Sequence, residues 1–266
     1  MIFKIIKNKF SKKKIPEKSD FKNYLYDSFA EDSKTNKKFV NLGSGLFPHP
    51  YWTCVDIKSN NNNMYPEGFP EEYIDLNFND SNIKLPFEDN SIEIFYSSHC
   101  LEHLYDRSIL NLLKETFRSL KKDGLIRITC PDINLAINAL KNNNKFFFDP
   151  ENKNSDKNIY ELFFLEWMDP ACKNYFNFNF LEEGIEKKII EEIDFLNLLF
   201  EIEKKLPLNG HINFLNEKKL SNILKNVGFK TIHNSRFGQS LSPVFYDNNF
   251  FEKNYQNLSL YIEAIK

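Results

Sequence analysis

The sequence predicts an α/β fold with a doubly wound, mostly parallel sheet, and three observations lead to that prediction. Short apolar runs that are typical of strands alternate with amphipathic helical segments over residues 38–132. Gly43 and Gly45 break the first run, and an acid, Asp56, ends the second. After residue 211 the regular pattern returns. It ends in two strands without a helix between them, which predicts a C-terminal antiparallel hairpin.

The individual elements follow from apolar spacing and from their flanking residues. Strands are predicted at 38–42, 53–57, 73–76, 92–97, 125–129, 230–233 and 258–265. Helices are predicted at 20–36, 106–122 and 216–227, the first capped by Ser19 or Asp20. Gly124 and Gly228 are the expected stops of the second and third helices.

Residues 133–209 interrupt this alternation. They are rich in aromatic side chains and contain one strongly amphipathic stretch between Ile185 and Phe200. We therefore expect a mostly helical insertion after the fifth strand, its aromatics forming either its own core or a lid over a pocket. The predicted organisation is a basic tail and helix at 1–36, then one domain at 37–266 that contains the insertion 133–209.

Composition narrows the classes of partner. The chain has 266 residues, 41% of them hydrophobic, and a net charge of −2, so no global basic field indicates nucleic acid. Only four of its basic residues are Arg, the side chain best suited to reading phosphates and bases, so no nucleic-acid partner is expected. No apolar run approaches the length of a transmembrane helix.

The cysteines and the N-terminal residues indicate the cellular compartment. Four cysteines are widely spaced without a CxxC pair, which favours reduced thiols in a cytoplasmic protein over disulfides or zinc. The start lacks the long apolar region and cleavage site of a signal peptide. Residues 1–14 are rich in Lys, and they form either a plain tail or a short helix with weak contact to an anionic membrane surface. The oligomeric state is left open.

The glycine-containing turn is the first functional signal. Glycines after a strand let the backbone approach a ligand that a Cβ atom would exclude. An acid at the tip of the next strand, here Asp56, suits the two hydroxyls of a ribose. Because ligands of open α/β sheets bind beyond the carboxyl ends of the strands, the sequence predicts a nucleotide-containing cofactor there.

Several motifs, in this order, resemble those of class I S-adenosylmethionine-dependent methyltransferases. NLGSG at 41–45 resembles the first motif and VDI at 55–57 the second. DL at 75–76, with LPFEDNSIEIFYSSHCLEHL after it, resembles the adenine-side motif followed by the fourth strand. LKKDGLIRITCPD resembles the helix after strand 4 and strand 5, and HINFLNEKKLSNILKNVGF resembles the helix before the terminal hairpin. The resemblance covers about 38–132 and 211–266, is nearest to the type 11 small-molecule subgroup, and implies a Rossmann-like fold. That subgroup often accompanies surface-polysaccharide biosynthesis.

The resemblance implies a set of cofactor-binding residues. Asn41, Gly43, Ser44 and Gly45 would surround the methionine and ribose portions, and Asp56 with Ile57 would lie at the ribose hydroxyls. Asp75 and Leu76 would flank the adenine, and Ser97 would offer backbone groups near the sulfonium. Each has a structural alternative, namely a tight turn for the glycines and a cap for the acids. Two positions depart from the family pattern: Asn41 replaces the usual acid, and Phe47 the third glycine.

The candidate catalytic residues are His99, His211 and Asp132, which lie at or near predicted strand ends or at the end of the insertion. His99 is the preferred base on the substrate side, because an ordinary histidine pKa of about 6.5 suits proton removal from a hydroxyl. For His103, a structural role, in which the ring forms a hydrogen bond to a backbone group, is an equal alternative to a functional role. HCLEH lacks the Glu position of the zinc-protease pattern, so no metal site is predicted.

The expected activity is transfer of a methyl group to an oxygen or nitrogen of a small molecule, with a sugar or surface-polysaccharide precursor as one acceptor class. A first alternative is a non-catalytic scaffold that binds S-adenosyl ligands within a biosynthetic complex, supported by Asn41. A second is an NAD-dependent sugar oxidoreductase or epimerase. It is disfavoured because the third glycine is missing and Asp56 follows Gly43 too closely.

Overall fold

The computed structural model describes residues 22–58, 69–167, 211–251 and 255–266. These residues belong to two compact units, a smaller one of 132–167 with 211–214 and a larger one of 22–58, 69–131, 215–251 and 255–266. The predicted tail, the caps Ser19 and Asp20, and the amphipathic stretch from Ile185 to Phe200 lie outside the described residues. The predicted division at 36 and the insertion 133–209 remain predictions.

The larger unit is built on a seven-stranded sheet. Its strands are β1 Phe39–Leu42, β2 Trp52–Asp56, β3 Ile74–Asp75, β4 Ile92–Ser98, β5 Leu120–Pro131, β6 Thr231–Ser235 and β7 Ser259–Ile265. Their spatial order is β3-β2-β1-β4-β5-β7-β6. The first five strands pair in parallel, and β7 pairs antiparallel with both β5 and β6. The predicted mostly parallel, Rossmann-like sheet with a C-terminal antiparallel hairpin is confirmed.

Six helices accompany the strands in the described part of the chain. They are α1 Glu31–Thr35, α2 Asp106–Ser119, α3 Ile133–Lys141, α4 Lys145–Phe148, α5 Ile159–Glu166 and α6 Glu217–Val227. Asn216 caps α6 by accepting from the Lys219 N–H at 2.8 Å, and Gly228 ends it with a φ of 125°, as expected. Among the described residues, no helix has both the length and the apolar character needed to cross a membrane.

The two faces of the sheet are covered differently. On the helix-covered face, α2 and α6 pack aliphatic side chains against β1, β4 and β5; its buried members include Val40, Ile109, Leu112, Leu220 and Leu224. On the aromatic face, rings dominate; its buried members include Tyr26, Phe39, Phe47, Trp52, Tyr96, Phe245 and Phe251. Two short 3₁₀ turns, Asn23–Tyr26 and Pro243–Tyr246, supply some of these rings.

The connection between β1 and β2 shows how the aromatic face replaces a helix. Parallel neighbours are usually joined through a crossover helix, but residues 43–51 contain none. Phe47 instead inserts into the aromatic face, with ring centroids 5.5 Å from Phe251 and 5.8 Å from Phe250. The residue at the third glycine position of the motif is therefore a core side chain.

Two predicted helices were wrong in extent. The predicted helix 20–36 is interrupted, since residues 27–30 are not helical between the 3₁₀ turn and α1. Tyr26 explains the interruption, because its buried ring and its hydrogen bond from Trp52 fix the chain at that point. The predicted helix 106–122 ends at Ser119, where the backbone turns extended so that Leu120 pairs with Ile92.

Gly124 is a strand residue and does not stop α2. A Cβ atom there would lie 2.9 Å from the Lys121 carbonyl oxygen and 3.1 Å from that of Glu93. The glycine therefore permits a close approach of backbone atoms within the sheet. A glycine that follows a helical segment is also typical of a helix end, which is why the sequence predicted a stop here.

The smaller unit is helical in its described part, α3 to α5. Asn158 and Glu161 form a reciprocal capping box at the start of α5. Phe148 and Phe163 are buried with their rings 5.9 Å apart, whereas Phe146 is largely exposed. The predicted aromatic core of this segment thus contains at least these two rings.

Candidate functional site

The candidate site lies where β1, β2 and β4 end at one edge of the sheet. Leu42, the last residue of β1, pairs with Val55 of β2 and with Ser97 of β4. The glycine turn, Asp56 and the segment after β4 consequently leave the sheet at the same level. This is the edge at which open α/β sheets bind their ligands.

The glycine turn has a backbone that only glycine adopts without strain. Gly43 and Gly45 have φ angles of 69° and 53°. A Cβ atom on Gly43 would lie 2.5 Å from the Cys100 sulfur, so this glycine is required by packing beneath the turn. At Gly45 a Cβ atom would meet no described atom within 4 Å, which leaves an open cradle above the turn.

Asp56 joins the turn to the end of β2. Its Oδ2 accepts a hydrogen bond from the Gly45 N–H at 2.7 Å, and its Oδ1 accepts from the Ile57 N–H at 2.7 Å. The residue is 7% exposed. Each carboxylate oxygen has a second lone pair, so the fixed carboxylate can still accept from a diol. The capping role and the ribose role are therefore compatible, and Ile57 lies partly exposed beside it.

Asp75 and Leu76 follow the short strand β3. The Leu76 N–H donates to the Asp56 carbonyl oxygen at 2.9 Å, which fixes this segment next to the ribose position. Asp75 is exposed, and its Oδ1 accepts from the Lys58 N–H at 2.7 Å. Leu76 packs on the helix-covered face. The structure thus brings both residues to the same edge as Asp56.

Asn41 and Ser97 are buried at the ends of β1 and β4, with 3% and 1% exposure. Asn41 pairs with Cys54 and Tyr96, so its side chain points to the aromatic face. Within the described residues, its Oδ1 has no hydrogen-bond partner. A buried acceptor of this kind costs free energy until a donor arrives. The ammonium group of a bound amino-acid moiety would supply that donor, so the residue fits the predicted cofactor.

His99 lies directly after β4 in a left-handed conformation with a φ of 52°, which is uncommon for a non-glycine residue. Its N–H donates to the Thr129 carbonyl oxygen at 2.8 Å. The imidazole Nδ1 lies 3.3 Å from Oε1 of Glu102, and Nε2 lies 2.9 Å from the Ser259 hydroxyl. Glu102 is 2% exposed and also lies 4.0 Å from His103 Nε2.

Cys100 lies at the base of the site, near the acidic side chains of Asp56 and Glu102. Burial raises the pKa of its thiol well above the ordinary value, and the nearby charges of Asp56 and Glu102 raise this pKa further. The thiol is therefore a neutral packing group under Gly43. Cys54, Cys100 and Cys130 are all buried and free of disulfides, as expected; Cys172 lies outside the described residues.

Asp132 and His211 belong to the smaller unit. Asp132 caps α3, accepting from the Asn134 N–H at 3.0 Å. His211 Nδ1 lies within hydrogen-bond distance, 2.9 Å, of the Trp167 carbonyl oxygen. These are local structural contacts, and the catalytic assignment of both residues remains a prediction.

Sequence reasoning did not identify Glu102 and Ser259 as site residues. Glu102 carried a usable signal, since it lies three residues after His99 and next to His103. Ser259 carried none, because it is 160 positions away from His99 and begins an ordinary terminal strand.

Part of the chain that contains the glycine turn is similar to a known protein family. A family model described as a methyltransferase domain matches residues 43–128. The match confirms the resemblance to class I S-adenosylmethionine-dependent methyltransferases, and S-adenosylmethionine is the cofactor that such a domain uses. A comparison with curated protein sequences found no significant match.

Three solved structures illustrate the similarity. A SAM-dependent methyltransferase from Archaeoglobus fulgidus is 14% identical, with 86% of this chain and 85% of that chain covered and a TM-score of 0.42. A possible histamine N-methyltransferase from Thermotoga maritima is 13% identical, with coverage of 92% and 93% and a TM-score of 0.40. An S-adenosylmethionine-dependent methyltransferase from Mesorhizobium loti is 13% identical, with coverage of 86% and 90% and a TM-score of 0.41.

Proposed function

We propose that this methyltransferase domain transfers a methyl group from S-adenosylmethionine to an oxygen or nitrogen of a small molecule in the cytoplasm. The observation that carries the proposal is the glycine turn, held by Asp56 at the sheet edge with an open cradle above Gly45. The buried free thiols favour a reducing compartment. The basic segment 1–14 lies outside the described residues, so its weak membrane contact remains a prediction from sequence.

Different residues would contact different parts of the cofactor. Asp56 would accept from the ribose hydroxyls, the 75–76 segment would flank the adenine, and Asn41 Oδ1 would accept from the ammonium group. The cofactor supplies an electrophilic methyl group already activated by the positive charge on sulfur. The chain's own task is to align the acceptor with that methyl group and to remove the acceptor's proton. His99 is the candidate for the second task.

The antiparallel position of β7 between β5 and β6 argues against a dinucleotide-dependent oxidoreductase. The dinucleotide-binding fold has a mostly parallel sheet of strand order 3-2-1-4-5-6 and a third glycine in its G-x-G-x-x-G turn. Here the position of that glycine, three residues after Gly45, is Pro48. A sugar or surface-polysaccharide precursor is the first acceptor class to screen, on the basis of the subgroup resemblance alone.

A thermal-shift titration with S-adenosylmethionine, S-adenosylhomocysteine and NAD tests the cofactor. A ligand at 100 times its dissociation constant stabilises the folded state by about 2.7 kcal/mol. We expect a rise in Tm with both S-adenosyl ligands and none with NAD. A rise with NAD alone would contradict the proposal. Binding of the S-adenosyl ligands without methyl transfer to any acceptor in a sugar and metabolite panel would favour the scaffold alternative.

Two matched variants sharpen this test. Asp56→Asn should weaken S-adenosylhomocysteine binding by about 10- to 100-fold, the value of a hydrogen bond to a charged group, whereas Asp75→Asn on the exposed segment should weaken it less. Asn41→Leu removes an acceptor that is unpaired among the described residues. It should leave the Tm of the ligand-free protein equal or higher while weakening binding. Equal binding in all three variants would place the cofactor elsewhere.

A further inference from the structure

Three groups from two distant parts of the chain form a continuous chain of polar contacts at the site. His99 follows β4, Glu102 lies in the 3₁₀ turn Leu101–His103, and Ser259 opens β7. The imidazole is between the other two, with Nδ1 toward the carboxylate and Nε2 toward the hydroxyl. The φ of His99 is 52°, in the left-handed region, and such a conformation persists where the surrounding structure fixes it.

We infer that Glu102 is a positioning residue that holds His99 as its Nδ1–H tautomer, and that Ser259 relays to Nε2 the proton released by the methyl acceptor. The inference rests on the proposed methyl transfer for its chemical purpose. The arrangement of protons, however, follows from the contacts of these three side chains and from their donor and acceptor inventories.

Glu102 determines the tautomer. An ionised carboxylate only accepts hydrogen bonds, so the nitrogen that faces it must carry a hydrogen. A neutral imidazole has one N–H, and with Nδ1 protonated, Nε2 is a bare acceptor. A buried carboxylate beside a histidine fixes the ring orientation and stabilises the imidazolium that forms on proton uptake. Glu102 thus acts on catalysis through His99.

Ser259 accommodates both charge states of the ring. Its Oγ lies 2.9 Å from His99 Nε2 and also 2.9 Å from the Tyr255 carbonyl oxygen. A hydroxyl has a single hydrogen. With neutral His99 that hydrogen points to Nε2. When Nε2 is protonated, the hydroxyl turns to the carbonyl and accepts from the new N–H. The Tyr255 carbonyl oxygen accepts from the Leu258 N–H at 2.9 Å in either state.

The rotation of the Ser259 hydroxyl determines how the protons balance in the proposed methyl transfer. An acceptor O–H or N–H bonded to Ser259 Oγ gives its proton to that oxygen, while the proton of Ser259 moves to Nε2. With S-adenosylmethionine bound, the acceptor's lone pair would form the bond to the methyl carbon, and the electrons of the carbon–sulfur bond would remain on sulfur. The products are the methylated acceptor, S-adenosylhomocysteine and a protonated His99 paired with Glu102.

Three titratable groups in the described part of the larger unit are recorded near His99. Glu102 Oε1 faces Nδ1, His103 Nε2 lies 4.0 Å from the same carboxylate oxygen, and the Tyr255 ring lies 5.1 Å from the imidazole. Burial raises the pKa of Tyr255 to about 12, so that phenol stays neutral over the working range. Glu102 is therefore the group that sets the charge beside His99, with His103 as a second influence on the carboxylate.

Nitrogen-15 NMR of the imidazole rings in the full chain tests the inference without an acceptor. The chain has five histidines, so single substitutions assign them. At high pH, His99 should show a protonated Nδ1 and a bare Nε2, with and without S-adenosylhomocysteine, while exposed His233 serves as an ordinary reference. Glu102→Gln should give a mixture of tautomers, because a side-chain amide can either accept from Nδ1 or donate to it. His103→Gln should change the tautomer little.

The hydroxyl is tested by a matched pair. Ser259→Ala should keep the Nδ1–H tautomer but move the Nε2 resonance, because Nε2 loses its hydroxyl partner, and Ser259→Thr should restore that resonance. This pair carries the test if Glu102→Gln does not fold. A bare Nδ1 in the wild-type protein, an unchanged Nε2 resonance in Ser259→Ala, or His99 resonances that move when EDTA strips a divalent metal would each overturn the inference. Failure of S-adenosyl binding in the thermal-shift titration would instead remove the proposed function and leave the tautomer result standing.

Discussion

The two faces of the sheet are held by different physical interactions. The helix-covered face buries aliphatic side chains of α2 and α6, whose apolar residues recur at helical spacing. The aromatic face has rings from β1, β2 and β4 and from short turns and loops, together with buried polar groups that need partners. The difference teaches that one face is stabilised by area buried, whereas the other depends on hydrogen bonds and an ion pair in addition to its rings.

Arg127 gives the largest expected effect on the aromatic face. Arg127 and Glu263 are fully buried, with Nη1 and Oε1 2.8 Å apart, and the guanidinium also contacts the Phe245 ring. Arg127→Ala leaves an uncompensated buried carboxylate and should lower the free energy of unfolding by about 3–5 kcal/mol in urea denaturation. Arg118→Ala at a partly exposed network should cost about 1 kcal/mol.

A double variant separates the ion pair from its surroundings. Arg127→Leu combined with Glu263→Leu removes both charges and should recover most of the lost stability. If the double variant is as unstable as the single one, the loop contacts of Glu263 are the main contribution. Those contacts are the Leu241 N–H, 2.8 Å from Oε2, and the Ser240 hydroxyl.

Leu112→Ala probes the helix-covered face in the same assay. The side chain is fully buried in α2, so the lost transfer free energy and the resulting cavity should cost about 2–5 kcal/mol. Leu110→Ala on the same helix, at a partly exposed position, should cost clearly less. Equal costs would mean that α2 is held by something other than burial of its apolar stripe.

His49 makes the aromatic face sensitive to acid. Burial lowers its pKa to about 3, whereas the unfolded chain binds that proton near pH 6.5. Folding therefore gains nothing from this group above about pH 6.5. Stability falls by up to about 1.4 kcal/mol per pH unit as the pH decreases from 6.5 toward 3. His49→Gln should flatten that part of a pH series of urea denaturations, and His233→Gln should not.

The smallest expected effect concerns the Tyr26 hydroxyl. It accepts from Trp52 Nε1 at 2.7 Å and lies 3.0 Å from His49 Nε2. Tyr26→Phe leaves a buried indole N–H without this partner and should cost about 1–2 kcal/mol. Tyr51→Phe removes an exposed hydroxyl bond to Asn23 and should change the free energy of unfolding by less than about 0.5 kcal/mol. Equal effects would show that the buried network adds no stability.

The comparison of faces also explains which predictions succeeded. Helix α6 and the terminal hairpin were predicted because periodic apolar residues and Gly228 encode them locally. The wrong extents of the helices at 20–36 and 106–122 have one cause. Tyr26 and Leu120 follow distant partners, the aromatic face and Ile92, in preference to the local helical pattern.

The sequence alone determined the doubly wound sheet, the glycine turn and the acid that closes it, because strand alternation and the Gly43–Asp56 spacing act over short distances. Only the tertiary structure placed Ser259 beside His99, 160 residues away, and gathered rings from distant segments onto one face. The physical reason is that periodicity specifies which side of an element is buried, whereas the partner that completes a buried polar group is chosen by the packing of the whole chain.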